Sequence, residues 1–330
     1  MSEFGATVVR LGKIGKHPNA DNLSITTVFD GYPCIIRTGD FQPGDLAIYI
    51  SVDALVPTWV DRFKFLQPKA KASGLHRVRA AKIRGIFSMG LLIPAERGME
   101  EHQRVDELLD IKKYEPPLEF TAGQSEHDPI GIPRYTDIEG MRKFGSKVFI
   151  PGEEVVVTEK VHGENYRLLY SQDRLWVGSH TQIKKPDPES KWWYWPLKEK
   201  IEERLKPYSG LMFCGELYGN VGHMRYGITQ QGDRGFALFD ILDMTAGKYW
   251  NWDDVKALSY VLNLQTVPIL YRGLWKEELR DLASGNTTVP GADHIREGIV
   301  VKPTKERWDH RVGRVILKLI GEEYLLSKKG

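Results

Sequence analysis

Val156-Val157-Thr158-Glu159-Lys160-Val161-His162-Gly163-Glu164-Asn165 runs a β-branched apolar segment into one lysine and then a glycine turn. β-Branched residues favour strands and glycine frees the backbone, so the stretch predicts a strand that ends by presenting Lys160 at the lip of a turn. A lysine so placed attacks phosphorus if burial or neighbouring cations lower its pKa. The same pattern also describes a hairpin with a solvated lysine. Asn165, just beyond, offers a donor and an acceptor.

Four later segments carry charges at defined places. Phe213-Cys214-Gly215-Glu216-Leu217-Tyr218-Gly219 is a short strand interrupted by Glu216, and Phe236-Ala237-Leu238-Phe239-Asp240-Ile241 is a strand with an aromatic and an acid near its end. Glu297-Gly298-Ile299-Val300-Val301-Lys302-Pro303 brackets a β-branched run with a carboxylate and a lysine. Arg314-Val315-Ile316-Leu317-Lys318-Leu319-Ile320 reads as one last strand with a base on either flank of its apolar centre. Each alone reads as an outward-facing charge on a strand.

In order and spacing, the five segments resemble the motifs of the covalent nucleotidyltransferases, the superfamily of ATP-dependent DNA and RNA ligases and messenger-RNA capping enzymes. Lys160-Val161-His162-Gly163 resembles the first motif, with histidine where DNA ligases and capping enzymes carry aspartate. That variant, followed by Asn165, is typical of the branch related to phage RNA ligase 2. The resemblance covers residues from about Ile130 onward. It implies that Lys160 attacks the α-phosphorus of ATP, releases pyrophosphate and holds AMP as a phosphoramidate. It further implies a nucleotide site with the Glu159 backbone at the adenine, Phe239 stacked on the base beside Asp240, Glu216 at the ribose hydroxyls, and Asn165, Ser179 and His180 nearby. Glu297 would orient Mg2+ or Mn2+, and Lys302 and Lys318 would neutralise phosphate charge.

Two positions depart from that pattern. Where the second motif usually has Ser-Arg, this chain has Gly178-Ser179-His180-Thr181-Gln182, replacing a permanently charged fork by an imidazole. The last motif commonly has two lysines one residue apart, whereas here only Lys318 is clear, with Arg314 or Lys184-Lys185 as candidate substitutes.

The first third of the chain reads differently. His17-Pro18-Asn19-Ala20-Asp21-Asn22-Leu23-Ser24 and Ala81-Lys82-Ile83-Arg84-Gly85-Ile86-Phe87-Ser88-Met89-Gly90-Leu91-Leu92 resemble a tRNA-binding OB barrel of the kind appended to aminoacyl-tRNA synthetases. Turn signals at Asp30-Gly31, Thr38-Gly39-Asp40 and Pro43-Gly44-Asp45 independently favour a small barrel of short strands. Arg62, Lys64, Lys69, Lys71, Arg77, Arg79, Lys82 and Arg84 follow Asp61 without another acid, interleaved with Phe63, Phe65 and His76. A groove for RNA needs such phosphate neutralisation with aromatic stacking, and a solvated loop has the same composition. An OB barrel ahead of the catalytic domain, together with Ile132-Pro133-Arg134-Tyr135-Thr136-Asp137-Ile138-Glu139, resembles RNA ligase family five.

Composition describes an ordinary globular protein: 330 residues, enough for two domains, with 41% apolar and 27% charged residues. The net charge is only +2, so nucleic-acid affinity has to come from local patches. Cys34 and Cys214 lie far apart without a C-x-x-C pair, which points away from a zinc site or disulfide framework. No apolar run approaches the ~20 residues of a membrane span and the N-terminus lacks a signal-peptide pattern, so an intracellular protein, cytoplasmic or nuclear, is expected.

The expected fold is α+β: an N-terminal OB-type β-barrel (1–115), a Pro/Gly-marked linker (116–129) and a C-terminal nucleotidyltransferase, ATP-grasp-like ligase domain of antiparallel sheets with flanking helices (130–330). One helix is predicted over Leu197–Leu205 and another over Trp252–Leu262, and Trp192, Trp193 and Trp195 are expected in a core or as an interdomain plug rather than as a base-stacking platform. The resemblance implies an ATP-dependent, monomeric RNA ligase requiring Mg2+ or Mn2+ and acting on nicked or broken RNA ends. A capping guanylyltransferase using GTP, and a non-catalytic binder of RNA ends, are the alternatives. ATP rather than NAD is favoured because bacterial NAD ligases carry a dedicated N-terminal nicotinamide domain.

Overall fold

The computed structural model describes residues 4–114, 124–219, 224–228 and 233–327. It divides into two compact units, one of Met1–Leu118 with Glu139–Ser146 and Leu325–Gly330, the other of Glu119–Ile138 with Lys147–Tyr324. Of the expected linker, residues 116–123 lie outside the described residues. No helix among the described residues is long and apolar enough to cross a membrane.

The first unit is an OB fold of short antiparallel strands: β1 (Ala6–Arg10), β2 (Ile14–Lys16), β3 (Leu23–Val28), β4 (Tyr32–Arg37), β5 (Leu46–Ile50), β6 (Ala54–Pro57), β7 (Leu75–Arg77), β8 (Ala81–Ile83), β9 (Ile86–Ser88) and β10 (Leu91–Pro94). They pair as β1-β5-β10, β2-β3-β4, β6-β7 and β8-β9. Gly39 and Gly44 take φ of 92° and 97° in the turns that divide β4 from β5, a conformation glycine adopts without a Cβ clash. Successive residues of a strand face opposite sides, and here both sides are covered. Val8, Ile48 and Ile50 join one apolar cluster, while Val9, Ala47 and Tyr49 join another with Tyr32 and Cys34. Phe63 is fully buried in the first of these clusters, which corrects its expected place on an RNA-facing surface. It lies in a 3-10 stretch, Asp61–Lys69, where the three-residue period sends Phe63 and Leu66 inward and leaves Phe65 outside.

The second unit is built on two antiparallel sheets. In the first, β12 (Gly163–Ser171), β13 (Arg174–Gly178), β14 (Leu211–Tyr218) and β15 (Gly235–Asp243) run in the order β13-β12-β14-β15. In the second, β11 (Glu154–Lys160), β16 (Ile269–Leu274), β17 (Gly298–Pro303) and β18 (Leu317–Ile320) run in the order β16-β11-β17-β18. Val155, Val156 and Val157 are all fully buried, so β11 is covered on both faces.

Two predicted elements differ from the structure. The single helix over Leu197–Leu205 is two short ones, α1 (Tyr194–Lys198) and α2 (Ile201–Leu205), because Lys200 between them takes a left-handed conformation. The break lets Ile201 and Leu205, one turn apart, reach the core while Leu197 stays 49% exposed. The last apolar strand is interrupted at Val315–Ile316, leaving a short bridge at Gly313–Arg314 and then β18. The helix after Asn251, α3, spans Trp252–Val261, and Trp192, Trp193 and Trp195 are core residues as read.

Gly215 lies beside a register shift between β14 and β15, where an added methyl would stand 2.6 Å from the Ala237 carbonyl and nearer still to the Phe236 ring. Gly215→Ala should therefore destabilise the protein by about 1–3 kcal/mol through overpacking. Thermal unfolding measures it, with Gly12→Ala, where a methyl meets nothing within 4 Å, as the unshifted control. Equal melting temperatures for the two variants would contradict the packing account.

Candidate active site

The register of the second sheet assembles one wall of a cavity. Thr158 of β11 lies opposite Val300 of β17, which lies opposite Lys318 of β18, while Lys160 lies opposite Gly298. Alternation puts Thr158, Lys160, Val300, Lys302 and Lys318 on one face, and all five line a cavity of about 290 Å³. The first sheet and the chain before β11 complete it with Asn165, Glu216, Phe239, Asp240, His180 and Tyr135. Phe239 and Asp240 are neighbours yet both reach the cavity. The strand pairing passes from Cys214↔Asp240 to Gly215↔Leu238, leaving Phe239 as the extra residue of a bulge that re-aims its ring.

Lys160 ends β11 opposite Gly298, and its Nζ stands 2.9 Å from Glu297 Oε1. The other Glu297 oxygen is 3.0 Å from His162 Nδ1, which is also 3.0 Å from the Tyr324 hydroxyl. The His162 backbone N–H donates to the Tyr226 hydroxyl at 2.6 Å, fixing the turn that follows the lysine. Gly163 is required in that turn, since a methyl there would collide with the Leu217 carbonyl.

These contacts decide the charges. Burial by itself would depress the Lys160 pKa, but Glu297 and Glu216 outweigh it and raise the pKa above its ordinary value. Burial would raise the Glu297 carboxyl, yet Lys160 and His162 bring it down to about 2. For Glu216, burial dominates and, with Glu297 and Glu164 adding repulsion against the pull of Lys160, pushes its pKa up to about 8. Near neutral pH the site thus holds a lysine ammonium on an ionised Glu297 beside a protonated Glu216. Of the two routes to a lowered lysine pKa, burial acts on Lys160 but is outweighed, because the charges that act on it are carboxylates.

Lys302 Nζ pairs with Asp240, lies 3.2 Å from the Phe239 carbonyl and 3.7 Å from Glu306. Arg314 reaches both Asp240 oxygens at 2.8 Å and Glu306 at 2.6 Å. The Asp240 carboxyl, although buried, is held far below the usual range by Arg314 and Lys302. Tyr135 adds its hydroxyl to Asp240 and its ring to Phe239, with centroids 4.8 Å apart. Arg314, offered by sequence as a second phosphate cation, is therefore a buried support behind the cavity wall. Lys184 does not substitute in the cavity either; it is buried, with Nζ 2.9 Å from Gln182 Oε1.

Glu159 turns its carboxylate to Thr287 and Thr288, accepting from the Thr288 N–H at 2.7 Å, while its own backbone N–H donates to the Pro268 carbonyl at 2.8 Å. Ser179 is spent on Gln182, to whose N–H and carbonyl it bonds, and does not line the cavity; His180 does, 3.8 Å from Asp137. Sequence reasoning gave no role to Tyr135, Glu306, Tyr226 or Tyr324. Glu306 could have been found four residues past Lys302, but the tyrosines meet the site only through tertiary packing.

The basic stretch of the OB unit is separate from this cavity. Arg62 pairs with Glu96, Lys64 with Asp61, and Arg77 with Asp53 at 2.7 Å while lying over the Tyr114 ring. Lys69, Lys71, Arg79, Lys82 and Arg84 are exposed.

An amine held on a carboxylate inside a cavity walled by two antiparallel sheets defines a covalent nucleotidyltransferase domain. The family model for RNA ligases matches residues 153–320, and the chain belongs to the RNA ligase family. An OB-fold domain model matches residues 5–95. Comparison with curated proteins gives no match. Solved structures similar to the chain include Naegleria gruberi RNA ligase with PPi, at 26% identity and a TM-score of 0.83 over 97% of each chain. A point mutant of that ligase with AMP and Mn matches at 25% identity and a TM-score of 0.84, again over 97% of each chain. Another mutant, with ATP and Mn, matches at 25% and 0.83 over 97% of this chain and 98% of the other.

The two glutamates should give opposite pH signatures in the metal-free protein. Glu216 binds a proton in the folded state that the unfolded chain releases above about 4.3, so its contribution to stability is full at low pH and lost as pH rises toward about 8. Glu297 has a lowered folded pKa, so its contribution is present above about 4.3 and lost as pH falls toward about 2. Glu216→Gln should flatten the decline of denaturant-measured stability between about pH 4.5 and 8. An unchanged slope would mean that Glu216 is ionised at neutral pH.

Proposed function

We propose that the protein is an ATP-dependent RNA ligase that joins a 3′-hydroxyl to a 5′-phosphate through lysyl-AMP and an adenylylated 5′ end. The observation that carries this reading is the Lys160 amine on Glu297 in a cavity with an aromatic and cationic lining. Similarity to N. gruberi ligase structures with ATP, AMP and Mn supports the nucleotide and the metal.

In the first step the Lys160 ammonium gives up one proton to free its lone pair, the nitrogen forms a bond to the α-phosphorus as the bond to pyrophosphate breaks, and a second N–H proton leaves to solvent to give the phosphoramidate. The AMP then moves to the 5′-phosphate of the RNA, restoring the free amine. Attack by the 3′-hydroxyl expels AMP and makes the phosphodiester. Phe239, backed by Tyr135, stacks on the adenine, and the Glu159 backbone holds the base edge. Asn165 Oδ1 is buried on the cavity wall with no hydrogen-bond partner among the described residues, which suits a ribose hydroxyl donor beside Glu216. Lys318 and Lys302 face the phosphates, Lys302 in exchange with Asp240. His180 is a titratable substitute for the usual arginine.

The donor chemistry fits a hard divalent cation at Glu297, whose ionised carboxylate would supply the oxygen ligand. Among the described residues no group of three or more His, Cys, Asp or Glu could hold a metal ion, which suits a cation that keeps water and phosphate ligands. When bound, Mg2+ or Mn2+ supplies positive charge to the triphosphate and competes for the carboxylate that pins Lys160. The exposed cations Lys64, Lys69, Lys71, Arg79, Lys82 and Arg84, with Arg62 and Arg77, contact the RNA backbone at nicked or broken ends. The protein works as a monomer, in the cytoplasm or nucleus.

Incubation with α-labelled ATP and Mn2+ followed by denaturing electrophoresis should leave label on the wild type. Lys160→Ala should lose it by at least ~1000-fold while keeping its fold by circular dichroism, because the nitrogen that bonds the α-phosphorus is gone. Labelled GTP should leave nothing. Sealing from ATP by Lys160→Ala, or label retained from GTP, would defeat the assignment.

Replacing Lys64, Lys69, Lys71, Arg77 and Arg79 together by Ala should weaken end joining and flatten its salt dependence while adenylylation is spared. Sealing unchanged across salt would return the segment to a solvated loop.

A further inference from the structure

Most aromatic rings of the OB unit are enclosed, but Trp59 and Phe65 are 57% and 59% exposed. The surroundings of the Trp59 indole say what it could meet. A methyl built on Gly74 would lie 3.0 Å from the Trp59 ring, so one side of the indole is seated on the Gly74 backbone. That backbone is itself pinned: the Thr58 N–H and hydroxyl donate to the Gly74 carbonyl at 3.0 and 2.6 Å, and the Gly74 N–H donates to the Lys71 carbonyl at 2.9 Å. His76 Nδ1 lies 3.2 Å from the Lys69 carbonyl, tying the end of the 3-10 stretch to the same turn. The indole therefore stands on a short hydrogen-bonded turn whose exposed side chains include Lys69 and Lys71, with Phe65 one turn back.

A second exposed tryptophan makes the comparison. Trp308 of the ligase unit is 78% exposed, but the arginines around it are consumed: Arg307 by Glu153, Arg311 by Asp309 and Arg314 by Asp240. Between Arg62 and Arg84 there are eight cations and no acid, and Lys69 and Lys71 form no ion pair among the described residues. An aromatic face beside uncompensated cations suits a polyanion that carries π-faces, and it suits an apolar protein surface poorly.

We infer that Trp59 is a base-stacking platform for an unpaired nucleotide of the RNA substrate, with Lys69 and Lys71 holding the phosphates on either side of that nucleotide. The inference rests on the RNA ligase reading for its substrate, but it is tested without ATP and so independently of the chemistry. Because the ring is pre-seated, little side-chain freedom is lost on stacking. Stacking contributes sequence-independent affinity and releases no counterion, whereas each lysine contact does.

The test is equilibrium binding of the full chain, without nucleotide, to an RNA duplex with a single-stranded tail, followed by fluorescence anisotropy over a salt series. Trp59→Ala should weaken binding about 5- to 150-fold with an unchanged salt slope. Trp59→Phe should stay within about threefold of wild type, and Lys69→Ala/Lys71→Ala should lower the slope by about 1–2. Single abasic positions walked along the tail should weaken wild type at one or two sites and leave Trp59→Ala indifferent there, a result no folding defect would produce. Adenylylation of Trp59→Ala by ATP should match wild type; if wild type itself fails to adenylylate while the binding pattern holds, the ligase reading fails and the platform survives. Wild-type RNA affinity in Trp59→Ala, sensitivity to abasic positions retained in it, or light scattering that finds a dimer lost on the substitution would each overturn the proposal, the last by assigning the ring to a protein interface.

Discussion

The Lys160–Glu297 ion pair is where strand register becomes chemistry. It forms because Lys160 lies opposite Gly298, which sets the amine beside the next residue along, and a slip of one position would turn Lys160 to the other face of the sheet. Two features lock that register. Three consecutive valines of the strand are fully buried on its two faces, and Gly298 lies where a Cβ would collide with the Leu319 carbonyl of the next strand. The resulting pair is a resting state: Glu297 stabilises the unreactive ammonium, so nucleophilicity is released only when something else claims the carboxylate.

Behind the cavity stands a second charged group that behaves differently. Asp240, Glu306, Lys302 and Arg314 carry two negative and two positive charges, so the cluster is neutral, and its members are bonded to one another at close range. Buried pairs of this kind recover little net stability after desolvation, but removing one partner strands the rest, at about 3–5 kcal/mol. The arrangement is better understood as positioning. It holds Asp240 at the bulge that aims Phe239 into the cavity, and Asp240 and Lys302 are the two members with a face on that cavity. The two charged groups thus differ in what they hold: one fixes Lys160 as an ammonium on Glu297, the other fixes Asp240 beside the bulge that aims Phe239.

Strand chemistry made much of this legible in the sequence. β-Branched runs bounded by a charge placed Lys160, Lys302 and Lys318 on strands, and period-2 alternation was enough to put those three on one face, while Glu297 stands just before its strand. Three kinds of information were not local. The bulge at Phe239 depends on how β15 pairs with β14, which a single strand does not encode. The sign of the Lys160 shift depends on which charges fold nearest to it, and these came from residues 216 and 297 rather than from the lysines nearby in the motif list. Phe63 and Phe65 differ only in which side of a 3-10 turn they occupy, a distinction that composition cannot make. The helix expected over Leu197–Leu205 failed for a similar reason, since burial of Ile201 and Leu205 favoured a left-handed break at Lys200 over continuous helix.

Charge distribution explains how a nearly neutral chain can serve a polyanion. The 46 basic and 44 acidic residues almost cancel, yet screening at physiological salt confines a charge's influence to ~8 Å, so a phosphate responds to its neighbourhood and not to the total. In the ligase unit the strongest cations are turned inward: Arg314 and Lys302 face Asp240, and Arg307 faces Glu153. Cations engaged in this way are unavailable to an extended strand. In the OB unit the reverse holds, because the stretch after Asp61 has no acid of its own and leaves Lys69, Lys71, Lys82 and Arg84 in solvent. The same residue type therefore does two jobs according to whether an acid was placed within reach of it: fixed counter-charge inside one unit, diffuse attraction on the surface of the other.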